Sequence, residues 1–248
     1  MKYPSILLLS LMFFAACSTE PQISADTILE KSIEAAGGED FFHSTISFSI
    51  EDYEYVLKRD GYLTDFSLTR EIDTTIYFST YKGGLMHYYV NGVEEPESMQ
   101  SRKFLDARLD GFTFLSSMPH VFNENGTIVE RLENVTIQQK EYYTLRITYK
   151  HQEGMEDRNI FYLYIDPDTF YIDYVAFKLD VYQNFQNFRR NYNRRKIEGI
   201  LFSDFYSFYP HDQSMPLDSL YHYYNKRDVR EGPATEYKNI SVEIQPYE

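Results

Sequence analysis

The sequence predicts a mainly β (α+β) fold, a curved antiparallel sheet or half-barrel of about 10–12 strands with an N-terminal helix and a central helical insertion. The 248 residues include 24 Tyr and 19 Phe, and aromatic rings favour strands because they pack well on a half-buried pleated surface. Runs with a period of two recur, as where Tyr143, Leu145, Ile147 and Tyr149 alternate with polar residues. The connections are short, which favours neighbouring antiparallel pairs over βαβ units.

Residues 1–16 are predicted to form a lipoprotein signal peptide. Lys2 precedes an apolar run, Ile6–Ala16, which is shorter than the roughly 20 residues that a membrane-spanning helix needs. Small residues then lead directly into Cys17, which resembles the lipobox cut by lipoprotein signal peptidase. That resemblance implies lipid attachment at Cys17, with the membrane as the partner of the lipid. The alternative is an ordinary secretory signal that leaves Cys17 as a free thiol.

Residues 17–24 form a short polar segment that contains Pro21, which is typical of a tether. Ser18 follows the cysteine, whereas in enterobacterial sorting an Asp at this place favours retention in the inner membrane. By that analogy we expect a cell-envelope protein anchored in the outer membrane, facing either the periplasm or the surface. Residues 25–248 contain no boundary, low-complexity tract or long repeat, and they are predicted to form a single domain.

The domain is expected to begin with a helix. Asp26 is the expected N-cap, because its carboxylate can accept the free N–H groups of the first turn. The apolar residues that follow have helical spacing, and Gly37-Gly38 ends the helix. The strands predicted next are Ser44–Tyr55, Tyr62–Ile72, Thr75–Tyr81 and Leu85–Val90, with turns at Arg59-Asp60-Gly61 and Lys82-Gly83-Gly84.

A central segment, Ser101–Met118, interrupts the strands because its apolar residues have helical spacing. Gly111 weakens the middle of this helix and Pro119 ends it. Strands are predicted again after Asn125-Gly126. They include Tyr143–Tyr149, Ile160–Ile165, Tyr171–Tyr182, Lys196–Tyr209, Leu217–Tyr224 and Asn239–Ile244.

The mature chain resembles, over nearly its whole length, an uncharacterised family of Bacteroidota lipoproteins. Four landmarks in a fixed order carry the resemblance: Ala36-Gly37-Gly38, Phe114-Leu115-x-x-Met118-Pro119, Tyr164-Ile165-Asp166-Pro167-x-Thr169 and the aromatic pair of strands in Arg195–Tyr209. That family is similar in architecture to the LolA/LolB-type lipoprotein carriers, curved half-barrels closed by helices around an apolar cavity for acyl chains. The resemblance implies a LolA/LolB-like β domain whose aromatic inner face lines a cavity. It transfers no functional residue to this chain.

Charge and motifs argue against several functions. A net charge of −14 repels nucleic acid, so no nucleic-acid partner is expected. Gly-x-Ser-x-Gly, His-Glu-x-x-His and Cys-x-x-Cys are absent, and Asp166-Pro167-Asp168 lacks the glycine that a calcium loop requires. The six histidines lack metal-ligand spacing and are expected on the surface or in loops. We therefore predict no catalytic residue, no metal and no cofactor, and the oligomeric state stays open.

One basic cluster contrasts with the acidic whole and admits two interpretations. The first is a docking patch for an anionic partner or headgroup. The second, which we adopt at this stage, is a solvated loop and strand start paired with nearby carboxylates. The cluster consists of Arg189, Arg190, Arg194, Arg195 and Lys196.

Aromatic residues on both faces of the strand near the C-terminus are the candidate cavity lining. Tyrosine suits a cavity rim because its ring is apolar and its hydroxyl needs a polar partner; the same pattern also fits a central strand buried on both faces. The predicted function is non-enzymatic binding of a lipid or acyl chain. The alternatives are a protein- or glycan-binding module and a hydrolase with an unrecognised site. The candidates are Phe202, Phe205, Tyr206, Phe208 and Tyr209.

Overall fold

The computed structural model describes residues 23–61, 63–82, 85–96, 108–109, 111–150, 159–179 and 185–247, so Cys17 and the predicted signal peptide lie outside the described residues. Within these ranges the chain forms two open, curved antiparallel sheets of seven strands each. Sheet A contains β1 (Ser44–Ile50), β2 (Tyr53–Asp60), β3 (Leu63–Ile72), β4 (Thr75–Lys82), β5 (Leu85–Val90), β6 (Val93–Glu94) and β14 (Lys238–Ile244). Sheet B contains β7 (Thr127–Ile137), β8 (Lys140–Tyr149), β9 (Ile160–Ile165), β10 (Ile172–Leu179), β11 (Phe185–Ile197), β12 (Ile200–Tyr209) and β13 (Arg230–Thr235).

Almost every strand pairs with its neighbour in sequence. Sheet A has the order β14-β1-β2-β3-β4-β5-β6, and sheet B has the order β13-β12-β11-β10-β9-β8-β7. The last strand, β14, returns to sheet A and pairs with β1. The predicted mainly antiparallel β fold is thereby confirmed, with two sheets and more strands than the single curved sheet we expected.

Helices lie at three places in the described chain. The first, α1 (Ala25–Ala36), is confirmed, but its N-cap is Ser24, whose hydroxyl oxygen accepts the Thr27 N–H at 3.1 Å. Asp26 lies instead in the first turn, where a carboxylate still favours the positive end of the helix. In the predicted central helix, residues 108–109 and 111–116 are helical, and we name 111–116 α2; its predicted start, residues 101–107, lies outside the described residues. The last helix is α3 (Leu220–Asn225).

The predicted strand Ser44–Tyr55 is wrong as a single element. It is split by a turn at Glu51 and Asp52 into β1 and the start of β2. Glu51 has a φ of 56°, a left-handed conformation that turns the chain back on itself. Ile50 and Tyr53 face each other across this hairpin and are both buried, so the polar pair between them forms the turn.

The predicted strand Leu217–Tyr224 is also wrong. The segment forms a short 3-10 helix, Leu217–Ser219, followed by α3. Leu220 and Tyr224 are one helical turn apart, and both are buried against the outer face of sheet B. The segment forms a helix because both side chains are buried on the same surface, although its tyrosine-rich composition predicts a strand.

β11 and β13 were not predicted as strands, because the composition of β11 is polar and that of β13 contains strand-breaking residues. β11 contains four arginines and five other strongly polar residues, and its strand form depends on pairing with β10 and β12 on either side. β13 contains Gly232 and Pro233, which are rare inside central strands, and it lies at the edge of sheet B.

The apolar core has three parts. The inner face of sheet B packs under α1 and α2, through residues such as Ile28, Leu115 and Phe161. The inner face of sheet A, including Phe48, shares a second cluster with the β12 residue Phe205. The outer face of sheet B forms a third cluster beneath α3. Sheet B is therefore buried on both faces, and α2 lies where the two inner clusters meet.

Candidate functional site

A cavity of about 800 Å³ lies between α2 and the inner face of sheet B. Most of its wall is contributed by four neighbouring strands, β10 to β13, and the β1–β2 turn reaches its rim. The wall is mainly apolar and aromatic, with a few polar groups set into it. The lining residues are Glu51, Phe112, Leu115, Phe177, Phe185, Asn187, Arg189, Phe205, Ser207, Tyr209, Arg230, Pro233 and Thr235.

Strand alternation decides which residues of β11 reach the cavity. Phe185, Asn187 and Arg189 are two residues apart and line it, because successive side chains of a strand point to opposite faces. Phe188, between the last two, lies in the cluster on the outer face. The antiparallel register places Ser207 of β12 directly opposite Arg189.

Arg189 is the buried cation of this wall, with only 5% of its surface exposed. Its guanidinium carbon lies 3.4 Å from the ring centroid of Phe205 and 5.5 Å from that of Phe177. A cation over an aromatic face is attracted by the ring quadrupole, an interaction worth roughly 2 kcal/mol when water is excluded. The rings therefore hold the charge within an otherwise apolar surface.

A second, smaller pocket of about 60 Å³ adjoins the cavity towards α1. Leu115, Arg189 and Phe205 border both spaces, so they form the neck between them. Tyr237 closes the smaller pocket, and burial raises the pKa of its phenol to about 12, which keeps it neutral. The shared neck places the guanidinium at the meeting point of the two spaces.

The five cavity candidates predicted from the sequence are divided between the two faces of β12. Phe205 and Tyr209 line the large cavity, and Phe202 lines the smaller pocket. Tyr206 and Phe208 belong to the cluster on the outer face, where Phe208 lies 4.8 Å, centroid to centroid, from Tyr224 of α3. Three of the five candidates therefore border open space, and the other two pack on the outer face of sheet B.

The basic cluster lies on β11 rather than in a loop, and two of its five members pair with carboxylates as expected. Arg194 bonds Asp173, and Arg195 donates to Asp204 at 3.0 Å. The Asp204 carboxylate, 3% exposed, also accepts the backbone N–H of Tyr237 at 2.9 Å. These pairs tie β11, β12 and the segment before β14 together. Arg189 differs from them because it lines the cavity, and no feature of the sequence taken residue by residue distinguishes it from its neighbours.

His120 is another buried polar side chain, and it does not line the cavity. His120 is 2% exposed, and its ring stacks on Phe41 at 3.9 Å between centroids. The expectation of surface or loop histidines is therefore wrong for His120, because apolar neighbours on both sides in sequence carry it into the core. Burial, with the nearby Arg59 charge, lowers the pKa of His120 to about 3. The buried imidazole is therefore neutral at ordinary pH, and its ring packs between Phe41 and Phe42.

Arg59 accompanies His120 in this interior. Its Nη2 donates to Ser117 Oγ at 3.0 Å, and its guanidinium carbon lies 4.5 Å from the Phe41 centroid. Burial lowers the pKa of Arg59 to about 10, and Glu124 acts against that shift. The sequence analysis did not identify this pair, because its members are far apart in the chain and carry no motif.

Metal and membrane-spanning sites were also sought in the described ranges. No group of three or more His, Cys, Asp or Glu residues there is placed to hold a metal ion. No helix in that part of the chain has the length and apolar character needed to cross a membrane.

The chain is similar at low identity to several solved structures. A LolA superfamily protein from Nitrosomonas europaea is 13% identical with a TM-score of 0.49, over 91% of this chain and 96% of that one. An outer membrane lipoprotein-sorting protein domain from Vibrio parahaemolyticus is 11% identical with a TM-score of 0.47, over 89% and 93%. The MucA/MucB complex of Pseudomonas aeruginosa is 10% identical with a TM-score of 0.25, over 72% of this chain and 75% of that one. These scores are too low for the likeness to say anything about the site.

No curated protein matches the chain. A family model does, and it is described as a family of unknown function, DUF6503. The match covers residues 3–236, which is most of the 248 residues. The chain therefore belongs to the DUF6503 family.

Proposed function

We propose that this protein is a lipid-anchored, non-enzymatic cell-envelope protein that binds an apolar ligand, a lipid or an acyl chain, in its β-lined cavity. The observation that carries the proposal is the cavity of about 800 Å³ under α2. Ligand sites commonly enclose roughly 300–1,000 Å³, whereas packed protein interiors contain few voids larger than a water molecule. A space of this size therefore supports a binding role.

The lining supports an apolar ligand in particular. Phe112, Leu115, Phe177 and Phe205 offer carbon surface, and Tyr209 adds an amphipathic ring. Each methylene that moves from water into such a site contributes about 0.8 kcal/mol, so an acyl chain gains affinity with its length. Of the predicted candidates, Phe205 and Tyr209 are proposed to contact the ligand, with Phe202 beside them in the adjoining pocket.

The membrane anchor belongs to the same proposal. Cys17 follows an apolar leader and lies outside the described residues, so its lipidation rests on the lipobox resemblance. We expect radiolabelled palmitate to be incorporated into the wild-type protein, with removal of residues 1–16, and not into Cys17→Ser. An outer-membrane location, as for the Bacteroidota lipoproteins that the chain resembles, is tested by fractionating the two membranes. An unlabelled wild-type protein with an intact leader would contradict this part.

Native mass spectrometry tests the cavity itself. We expect the protein, purified without added lipid, to carry an apolar adduct that denaturation releases. The variant Thr235→Trp introduces a large ring on the cavity side of β13, and we expect it to lose most of the adduct. Its control is Ala234→Trp, because register pairs Thr235 with Phe205 on the cavity face and Ala234 with Tyr206 on the other.

The two tryptophan variants separate ligand loss from general damage. Equal ligand occupancy in both would mean that the adduct binds elsewhere on the protein. A wild-type protein that carries no adduct and takes up no apolar fluorescent probe would overturn the cavity proposal. The interaction-module alternative would then become the better account of this fold.

A further inference from the structure

We propose that the polar end of the ligand is uncharged: the cavity binds an amphiphile whose hydroxyl or amide N–H group donates a hydrogen bond to the side chain of Asn187, just inside the mouth. This inference rests on the proposed function, since it names the ligand class of the same cavity. Fatty alcohols, fatty amides and monoacylglycerols share the required chemistry, an apolar chain that ends in a neutral hydrogen-bonding group.

The first observation is a buried side-chain amide in the cavity wall. Asn187 lines the cavity and is only 8% exposed, yet its side-chain carbonyl oxygen has no hydrogen-bond partner among the described residues. Most buried polar side-chain atoms in folded proteins do have a partner, because losing a hydrogen bond to water without replacing it is costly. A ligand that donates an O–H or N–H group supplies the missing bond. The same amide carries an N–H₂ group, which can donate to an oxygen of the ligand.

The second observation is the depth of Asn187 in the cavity. Along the cavity face of β11, the exposed fraction falls from 41% at Phe185 to less than a tenth at Asn187, so the strand passes from the rim into the interior between these two residues. Across the strands, Asn187 pairs with Phe177, which is buried and also lines the cavity. A headgroup at Asn187 therefore lies near the mouth, while the apolar chain extends towards the neck that Leu115 and Phe205 border.

The third observation concerns the charged side chains of the described lining, which already have partners. Glu51 pairs with Arg108 at 2.7 Å, and Arg230 donates to a backbone carbonyl oxygen at 3.5 Å. Arg189 likewise has interaction partners within the chain. A charged headgroup would lose its water here without gaining a free opposite charge from the described lining, and burying such a charge costs far more than burying a hydroxyl. The net charge of −14 also repels anions at long range.

The test compares ligands that share one oleyl chain and differ at the polar end. Full-length protein in amphipol is loaded with the neutral probe N-phenyl-1-naphthylamine, which is then displaced by oleyl alcohol, oleamide, oleyl methyl ether or the permanently anionic oleyl sulfate. The ether keeps the oxygen but lacks the O–H donor, and because its extra methyl group makes it more apolar, burial alone would favour it over the alcohol. We expect the alcohol and the amide to bind at least about fivefold more tightly than the ether and the sulfate.

Substitutions then locate the preference. Asn187→Leu replaces the amide with an apolar group of similar size, and we expect it to bring the alcohol within about twofold of the ether while the probe still binds. Arg190→Met is the matched control, because Arg190 lies on the same strand but over the Tyr206 ring, which belongs to the cluster on the outer face. We expect this control to retain the full preference for the alcohol.

The outcomes distinguish this inference from the function on which it rests. If the probe binds the wild-type protein and the ether displaces it as well as the alcohol does, or the sulfate displaces it better, the neutral headgroup site is overturned and the apolar cavity stands. If neither the probe nor any oleyl compound binds, the proposed function itself fails. The wild-type comparison needs no substitution, so it decides the matter even if Asn187→Leu fails to fold. Equal loss of preference in Asn187→Leu and Arg190→Met would also overturn the assignment.

Discussion

At the scale of single residues, two cationic side chains are buried in the described part of the chain, and their surroundings differ. Arg189 lines a space large enough for a ligand, whereas Arg59 is enclosed with His120 and two phenylalanines. Neither ring nitrogen of His120 has a hydrogen-bond partner within the described chain. A buried polar group without a partner is destabilising, and it is far more destabilising when it carries a charge, so this histidine makes the fold sensitive to acid.

The first prediction concerns that acid sensitivity. The pKa of His120 is about 3 in the fold against 6.5 without it, so below pH 6.5 the unfolded chain takes up a proton that the folded chain does not. The contribution of neutral His120 to the free energy of unfolding is complete above pH 6.5 and decreases as the pH falls towards 3. Between pH 7 and pH 5 that loss amounts to about 2 kcal/mol. We expect His120→Phe to remove this part of the pH dependence.

Urea unfolding at the two pH values measures the difference. The control is His211→Phe, since that imidazole is half-exposed and lies 3.6 Å from Asp228. We expect the control to keep the wild-type pH dependence, apart from carboxylate contributions common to all three proteins. If His120→Phe and His211→Phe lose equal stability between pH 7 and pH 5, His120 does not cause the effect.

At the scale of elements, the local sequence predicts a helix or a strand correctly where a single residue pattern is sufficient to identify it. The β8 strand alternates cleanly and was correctly predicted, and α1 was correctly predicted from its apolar spacing and its terminal glycines. The failures occur where tertiary packing overrides composition. α3 is rich in aromatic residues but forms a helix, because Leu220 and Tyr224 must reach the same surface of sheet B.

The end of α1 provides a second prediction. Gly37 has a φ of 132°, and a Cβ there would lie 3.1 Å from the backbone Cα of Ile200 at the start of β12. Gly37→Ala therefore combines a strained backbone with a contact that the backbone cannot easily relieve, and we expect a loss of roughly 1–3 kcal/mol. Thermal unfolding followed by circular dichroism measures it.

The neighbouring glycine is the control for this prediction. Gly38 has a φ of 56°, and no atom lies within 4 Å of the position of its missing Cβ. Asparagine tolerates that left-handed conformation, so we expect Gly38→Asn to cost less than about 0.5 kcal/mol. Similar losses in the two variants would mean that contact with Ile200 is unimportant.

At the scale of the whole molecule, the two sheets share one interior. Phe48 of β1 lies 4.9 Å, centroid to centroid, from Tyr237, and both belong to the same cluster as Phe205 of β12. A core that crosses between the sheets couples their unfolding. The single domain predicted for residues 25–248 requires such coupling, and the shared core also borders the cavity.

The third prediction tests that coupling. We expect urea to unfold the protein in one transition, with coincident fluorescence and circular dichroism curves. Phe48→Ala should move the whole transition to lower urea by about 3–5 kcal/mol, while Val56→Ala, on the exposed face of β2, should cost less than about 1 kcal/mol. Two separate transitions, of which Phe48→Ala shifts one, would show that the sheets fold independently.

The sequence alone was sufficient for the fold class, most strands, α1 and the aromatic character of β12. Periodicity and turn residues act over a few positions, so they can be recognised without knowing what a segment packs against. Phe205 and Tyr209 are among the candidate cavity residues that the sequence predicts. The arginines of β11 are recognisable in the sequence as a basic cluster, although a solvated loop and strand start was predicted for them.

Only the tertiary structure decided which of those residues belong together. The face on which Arg189 lies depends on the register of β11 between β10 and β12, and a shift of one residue would exchange Arg189 for Arg190. The cavity exists because α2 covers four consecutive strands that lie far from it in the sequence, without filling the space beneath it. The volume of a cavity and the register of its strands are properties of the packed molecule, so no local pattern of residues encodes them.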